Sequence, residues 1–221
     1  MEYISVAIDG PAGAGKSTIA KAVAKALRMT YVDTGAMYRS VALYCIQYDI
    51  QEKSQIEMVM DKIHITLSYE DGEQKVFLNG RDVTNEIRTP EVAKMSSYIA
   101  TFPTIRQQLV EIQREMARKQ SVVMDGRDIG TYVLPDAPVK IFLTASTAER
   151  ARRRYHEMQT KGIVSSIAEI QAEIEQRDEQ DMNRIVSPLK KAADAIEIDT
   201  TSDTIEEVVQ KILDIIDKRR I

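Results

Sequence analysis

Cysteine is almost missing from this chain of 221 residues: Cys45 is the only one. That excludes an internal disulfide framework and any thiolate-rich metal site. Cys45 lies in the apolar stretch Val41-Ala42-Leu43-Tyr44-Cys45-Ile46 and reads as a small buried hydrophobe. Histidine is scarce too; His64 and His156 stand far apart, which argues against a His-rich zinc site. No apolar run approaches the about 20 residues that span a bilayer. Residues 1–5 carry neither a basic region nor a small-residue cleavage site. A cytoplasmic, reducing setting with no membrane partner is the expectation. Surplus positive charge is missing as well. Lys plus Arg number 30 against 34 Asp plus Glu, a net charge of −4. Such a chain has no spare cations to displace counterions from a phosphate backbone, so no nucleic-acid partner is expected. What is present is ordinary globular material, 43% hydrophobic and 29% charged, which excludes disorder as the default state. The length allows one full domain with at most a small insert.

Residues 3–8 are short, β-rich and apolar, and end at the turn signal Asp9-Gly10, which predicts a buried strand. Ile19, Val23 and Leu27 then recur at helical spacing, predicting a helix over 16–27. A short strand is expected at 29–32 and a helix at 35–48, with Met37, Val41, Tyr44 or Cys45, and Tyr48 on one face. The pattern changes at 63–69, which alternates. Glu70-Asp71-Gly72-Glu73 reads as a turn, 76–78 returns before Asn79-Gly80, and a third short piece lies near Val83. This is the signature of a small antiparallel insert. A helix follows at 104–119, with Ile105, Leu109, Ile112 and Met116 in line, then strands at 121–124 and 139–143. A basic helical segment covers 150–156. Ser166 with Glu169 three residues on forms a capping box that opens a long helix. A last strand is expected at 195–199 and a last helix at 205–218. Strands alternating with helices predict a parallel sheet covered on both faces, with ligands outside the carboxyl ends of its strands. That places the chemistry at Asp9-Gly10, Asp33-Thr34, Asp125-Gly126 and Thr144-Ala145.

Gly10-Pro11-Ala12-Gly13-Ala14-Gly15-Lys16-Ser17 fits G-x-x-x-x-G-K-[ST] at every fixed position, directly after a strand and opening a helix. The glycines permit a turn whose N–H groups point inward, and the helix N-terminus adds partial positive charge. Residues 10–17, with Thr18 beside them, are the expected ATP cradle. Lys16 reaches the β- and γ-phosphates and the Ser17 hydroxyl ligates Mg²⁺. Asp125 follows an apolar strand directly, where a carboxylate holds Mg²⁺ or its waters; an ordinary Asp-Gly turn is the other reading.

A GTPase would need N-K-x-D; Asn79-Gly80-Arg81-Asp82 fails at the lysine. A motor or helicase core needs more chain. A small alternating β/α chain with many scattered arginines fits a kinase for a small phosphorylated acceptor, since cations must offset two anionic substrates. In the long helix Ile167, Ile170 and Ile174 form a stripe that continues into Arg177, Asp181 and Arg184. Two readings stay open here: a ligand-binding face, or an intrahelical row of salt bridges.

Several segments together resemble the bacterial cytidylate kinases, a branch of the nucleoside monophosphate kinases. They are Ile8-Asp9-Gly10-Pro11-Ala12-Gly13-Ala14-Gly15-Lys16-Ser17, Asp33-Thr34-Gly35-Ala36-Met37-Tyr38-Arg39 and Glu86-Ile87-Arg88-Thr89. Asp125-Gly126-Arg127-Asp128-Ile129-Gly130-Thr131, Pro135-Asp136-Ala137-Pro138-Val139-Lys140-Ile141-Phe142-Leu143 and Arg177-Asp178 through Asn183-Arg184 continue the series in order. The family often has Ser where Thr34 stands; both offer a hydroxyl.

The resemblance implies an α/β fold: a P-loop NTPase-like, five-stranded parallel sheet flanked by helices, with a small antiparallel β insert and a helical lid. The implied parts are a core (1–59, 101–149 and 165–221), an acceptor-binding insert (60–100) and a lid (150–164). The implied reaction moves the γ-phosphoryl of ATP to CMP or dCMP with Mg²⁺, in a chain expected to be monomeric. Arg39, Arg127 and Arg184 resemble the clamp on the acceptor phosphate, with Arg88 in support. Arg177 and Asp181 match the ribose-holding positions. Ser97, Arg106 and Asp128 match those that read cytosine, and Thr34 joins the acceptor set. Lys16, Arg39, Arg127 and Arg184, with the lid's Arg153 and Arg154, form the implied catalytic group, and Arg150 marks the lid alongside them. Two alternatives stay open: a kinase for another acceptor such as UMP, AMP or a hydroxylated metabolite, and a nucleotide-dependent switch. Nucleic-acid binding through 150–154 is the weaker third.

Overall fold

The computed structural model describes residues 3–70, 73–160 and 162–219. In chain order, β1 (Ser5–Asp9), α1 (Lys16–Leu27), β2 (Thr30–Asp33), α2 (Thr34–Gln47) and α3 (Lys53–Val59) come first. The insert follows as β3 (Ile65–Glu70), β4 (Glu73–Leu78), β5 (Arg81–Asp82) and α4 (Pro90–Ile99). Then come α5 (Pro103–Lys119), β6 (Val122–Gly126), β7 (Val139–Thr144), α6 (Thr147–Thr160), α7 (Ile167–Met182), β8 (Ile196–Asp199) and α8 (Ile205–Arg219).

The five-stranded sheet runs β2-β6-β1-β7-β8 with every pairing parallel, and β3-β4-β5 form a separate antiparallel sheet. Parallel strands need both faces covered, so the central strands are nearly continuous in apolar residues. Strand alternation sends Val6 and Ile8 of β1 to a core closed by Ile19 and Val23 of α1 and Val208, Ile212 and Ile216 of α8. Ala7 faces the other way, toward Val110 of α5 and Ile129 and Val133. Full burial of a side chain such as Ile8 or Ile141 contributes about 1.5–3 kcal/mol. A further core joins Met37, Val41 and Cys45 of α2 and Leu109 of α5 to Ile65, Val76 and Val92 of the insert. The insert is therefore packed on the core helices rather than tethered. Helices α6 and α7 carry their own small cluster around Ala151, Ile170 and Ile174.

Some expectations are corrected. Tyr48 does not belong to the buried face of α2; the helix stops at Gln47, Asp49 takes a left-handed φ of 51°, and Tyr48 is exposed. Ile167 is also exposed, because it is the first residue of α7 and overhangs the cluster. The row Arg177, Asp181, Arg184 is not one helical face, since α7 ends at Met182 and Arg184 lies in the following loop. Helices α3 and α4 are absent from the periodicity reading. Helix α4 had a local signal: the Thr89 hydroxyl accepts the Val92 N–H (3.3 Å) and Pro90 occupies the first turn. The turn expected at Asp71-Gly72 lies outside the described residues. No helix among the described residues is long and apolar enough to cross a membrane.

Candidate active site

The loop at 10–17 closes the gap between β1 and α1 at the carboxyl edge of the sheet. Gly10 has φ +147°, and a Cβ there would sit 2.0 Å from the Leu143 carbonyl oxygen on β7, so no other residue fits. Gly15, at φ 83°, caps α1 with no side chain on the first-turn donors and no acidic residue in that turn. The N-terminus of a three-turn helix is thus left as an array of N–H donors with partial positive charge. Lys16 is buried and donates to the Pro11 carbonyl (2.6 Å), while Ser17 and Thr18, in the first turn of α1, are exposed.

The parallel register sets Asp33 beside Asp125 and Asp9 beside Gly126. Ser17 Oγ donates to Asp125 Oδ2 (2.8 Å), the Tyr31 hydroxyl donates to Oδ1 (2.9 Å), and Thr34 Oγ1 donates to the Asp125 carbonyl (2.7 Å). Burial, with the Asp33 charge beside it, pushes the Asp125 carboxyl up to about 6. Asp33 caps α2 through the Ala36 N–H (2.9 Å) and pairs with Arg39 (2.8 Å). The insert reaches this edge as well, where Gln74 Oε1 accepts the Asp33 N–H (3.0 Å).

Facing Lys16, Asp181 pairs with Arg127 (2.9 Å) and Arg184 (3.7 Å), and the charges of Arg127 and Asp181 both act on the lysine. The cations crowd one another. Burial and the neighbouring Arg127 lower Lys16 well below the usual lysine value, and the same two causes bring Arg177 down to about 10. Arg184 is lowered by burial, and Arg39 adds to the charge acting on Arg177. Among the described residues, Arg39 Nε, Arg177 Nε and Arg184 Nε and NH2 are buried donors with no protein acceptor. Unpaired buried guanidinium donors are costly to keep, and a polyanion satisfies them. A bound nucleotide or sulfate is therefore expected to raise the melting temperature. At about 100 Kd the linkage is about 2.7 kcal/mol, or roughly 5–10 °C for a chain of this size, read by a thermal melt with and without ligand.

Next to this pocket Arg106 of α5 and Asp128 form a buried ion pair, and the Arg106 guanidinium lies 5.6 Å from the Tyr38 ring centre. The remaining expected residues are placed as follows. Ser97 turns its hydroxyl to the Ala93 carbonyl within α4 (3.2 Å), and its own carbonyl accepts from Gln180 of α7 (3.4 Å). Arg88 is exposed, yet its charge helps hold Asp33 low, behind the larger effect of Arg39. Arg153 binds Glu149 (3.0 Å) and Thr200 Oγ1 (3.1 Å), with Gly15 alongside, so it stands at the base of the phosphate loop. Arg154 is exposed near Glu157 (3.8 Å). The intrahelical row is replaced in part: Asp181 takes Arg127 from another element, and Arg184 meets it from the loop.

Sequence reasoning placed Asp9 and Asp33 at the edge that carries the chemistry but gave neither a role; it passed over Tyr31 and Asp178 and read Arg150 only as part of the lid. Arg150 is buried at the start of α6, where it donates to the Ala12 carbonyl of the phosphate loop (3.0 Å) and to Asp178 of α7 (2.5 Å). It braces the loop from α6. No sequence pattern links residues 138 positions apart.

A glycine loop at the end of a parallel strand, with a cluster of buried arginines short of acceptors beside it, is the arrangement of a phosphate-loop phosphotransferase. The chain belongs to the cytidylate kinase family, whose sequence profile matches residues 6–218. It is 54% identical to the cytidylate kinase of Lactobacillus gasseri, covering 98% of this chain and 95% of that one. It is 53% identical to the cytidylate kinase of Bacillus cereus, covering 96% of each. Family members phosphorylate CMP and dCMP using ATP. An uncharacterised protein from Eubacterium ventriosum, 15% identical, shares the fold with a TM-score of 0.53 over 98% of this chain and 99% of that one.

Proposed function

We propose that the cleft between the phosphate loop and the Arg127–Asp181–Arg184 cluster is where this chain moves the γ-phosphoryl of ATP to CMP or dCMP. The observation that carries this placement is the set of buried guanidinium donors without acceptors on Arg39, Arg177 and Arg184, gathered beside Lys16. The loop N–H groups and Lys16 receive the donor phosphates. Arg39, Arg127 and Arg184, with Arg88 outside them, grip the acceptor phosphate, and Arg177 and Asp181 meet the ribose. Asp128 accepts from the cytosine amino group while Arg106 donates to the ring acceptors, with Ser97 at the edge. The acceptor phosphate oxygen is already ionised near neutral pH, so no strong general base is needed. Positioning two anions in line and neutralising the transferring oxygens is what the pocket contributes.

Ser17 Oγ and Asp125 Oδ2, 2.8 Å apart, suit Mg²⁺, which takes few protein oxygens and keeps waters and substrate phosphates as its other ligands. Bound there, it would offset charge on the β- and γ-phosphates. In this reading residues 1–59, 101–149 and 165–221 form the core, 60–100 the acceptor insert and 150–164 a lid that excludes water on closing. Arg153 and Arg154 ride on that lid. The enzyme acts as a cytoplasmic monomer on small nucleotides, not on nucleic acid.

An acceptor panel with ATP and Mg²⁺ tests the reading. CMP and dCMP are expected to be phosphorylated with UMP well behind and AMP inert, and ADP is expected only when a monophosphate is present. ADP release without an acceptor, or equal turnover of CMP and AMP, would sink it.

A further inference from the structure

The transfer chemistry gives no role to the buried carboxylate of Asp9. Asp9 is 4% exposed and ends the central strand β1, one residue before Gly10. Strand alternation puts it on the face of Ala7, opposite Val6 and Ile8. Both its oxygens are taken there by consecutive backbone donors: Oδ1 accepts the Ile129 N–H (2.8 Å) and Oδ2 accepts the Gly130 N–H (2.7 Å). Successive N–H groups converging on an anion make the kind of nest that binds phosphate elsewhere; here the chain's own carboxylate fills it.

The two residues before this nest are Arg127 and Asp128. The β1–β6 ladder ends at Asp9 and Gly126, so strand pairing stops short of them. A single π-helical turn then begins, with the Val133 N–H reaching the Asp128 carbonyl (3.1 Å) and the Leu134 N–H reaching Ile129 (2.7 Å). Such turns recur at functional sites. Gly130 is pressed into place, since a Cβ there would lie 3.1 Å from Lys140 Cδ and 3.4 Å from Asp9 Oδ2. Burial pushes the Asp9 carboxyl up to about 7, opposed chiefly by those two backbone donors. The fold therefore keeps a costly buried carboxyl at the junction of two loops, held by those two backbone donors.

We propose that Asp9 is a positioning residue for acceptor recognition. By holding Ile129 and Gly130 it sets the direction of Arg127 and Asp128, and so registers the loop that reads the monophosphate against the loop that cradles the triphosphate. This rests on the proposed function above.

Asp9→Asn keeps the shape but sets an amide N–H₂ against a backbone N–H. The expected result is a loss of about tenfold or more in kcat/KM for CMP, mostly in KM. KM for ATP stays within about twofold, and the preference for CMP over UMP shrinks by about tenfold. Gly130→Ala pushes on the same contact from the other side and is expected to give a weaker copy of that signature; it carries the test if Asp9→Asn does not fold. A uniform fall for CMP, UMP and ATP, or unchanged kinetics, overturns the proposal. Amide hydrogen exchange without nucleotide reads the clamp separately: Ile129 and Gly130 are expected to exchange faster in the variant, and equal rates also overturn it. A wild-type protein that does not phosphorylate CMP would refute the proposed function instead, leaving the clamp to be judged by exchange.

Discussion

Lys16→Ala is expected to keep its fold and lose about 10³-fold in kcat, the scale of removing one preorganised charge donor from a water-excluded site. The same substitution removes a source of strain. Burial and the charge of Arg127 lower the Lys16 pKa, so between its folded and unfolded values the unfolded chain holds more protons. In that window stability rises with pH, and at neutral pH the lysine costs the free protein stability. The variant should therefore melt at or near the wild-type temperature without nucleotide. Its ATP-induced rise in melting temperature should shrink. Steady-state kinetics and paired melts check both halves. Near-normal turnover would remove Lys16 from the mechanism.

Asp128 carries the second large effect. It is paired with Arg106, and the side chains are 9% and 2% exposed. Breaking such a pair by deleting one partner leaves an uncompensated buried charge, so Asp128→Ala is expected to lose about 3–5 kcal/mol of stability. Asp128→Asn also removes the charge, but it keeps the shape and an oxygen that accepts from Arg106, so it is expected to cost less stability than Asp128→Ala and to serve better for reading recognition. Cytosine presents an amino donor where uracil presents a carbonyl. A carboxylate there welcomes the first and repels the second, whereas an amide accommodates either. The ratio of kcat/KM for CMP to that for UMP should fall by about 10²-fold in Asp128→Asn, with UMP turnover improved. An unchanged ratio would place cytosine recognition elsewhere.

The glycine loop was legible because its function is local: a few consecutive residues must leave N–H groups free at a helix start, and only certain residue types allow it. The strand ends were legible for the same kind of reason. Apolar runs stop where the sheet stops, and Asp9, Asp33 and Asp125 mark those stops. The capping box at Ser166 and Glu169 needs only four residues, and it forms as expected. Other features had no local trace. The helical row Arg177, Asp181, Arg184 fails because α7 ends at Met182, and Asp181 finds Arg127, 54 positions away in the loop just after β6. Periodicity cannot see a partner at that distance.

Short-range rules, then, are enough to write the alternation of strands and helices, the phosphate loop and the insert, because backbone sterics and apolar spacing act over a few residues. Which carboxylate meets which cation is settled by how the parallel strands register. That register seats Asp9 under Ile129 and Gly130 and turns Ser17 to Asp125, pairings whose members lie more than 100 positions apart. Burial then shifts their pKa values, since the low dielectric around them exists only once distant segments have come together.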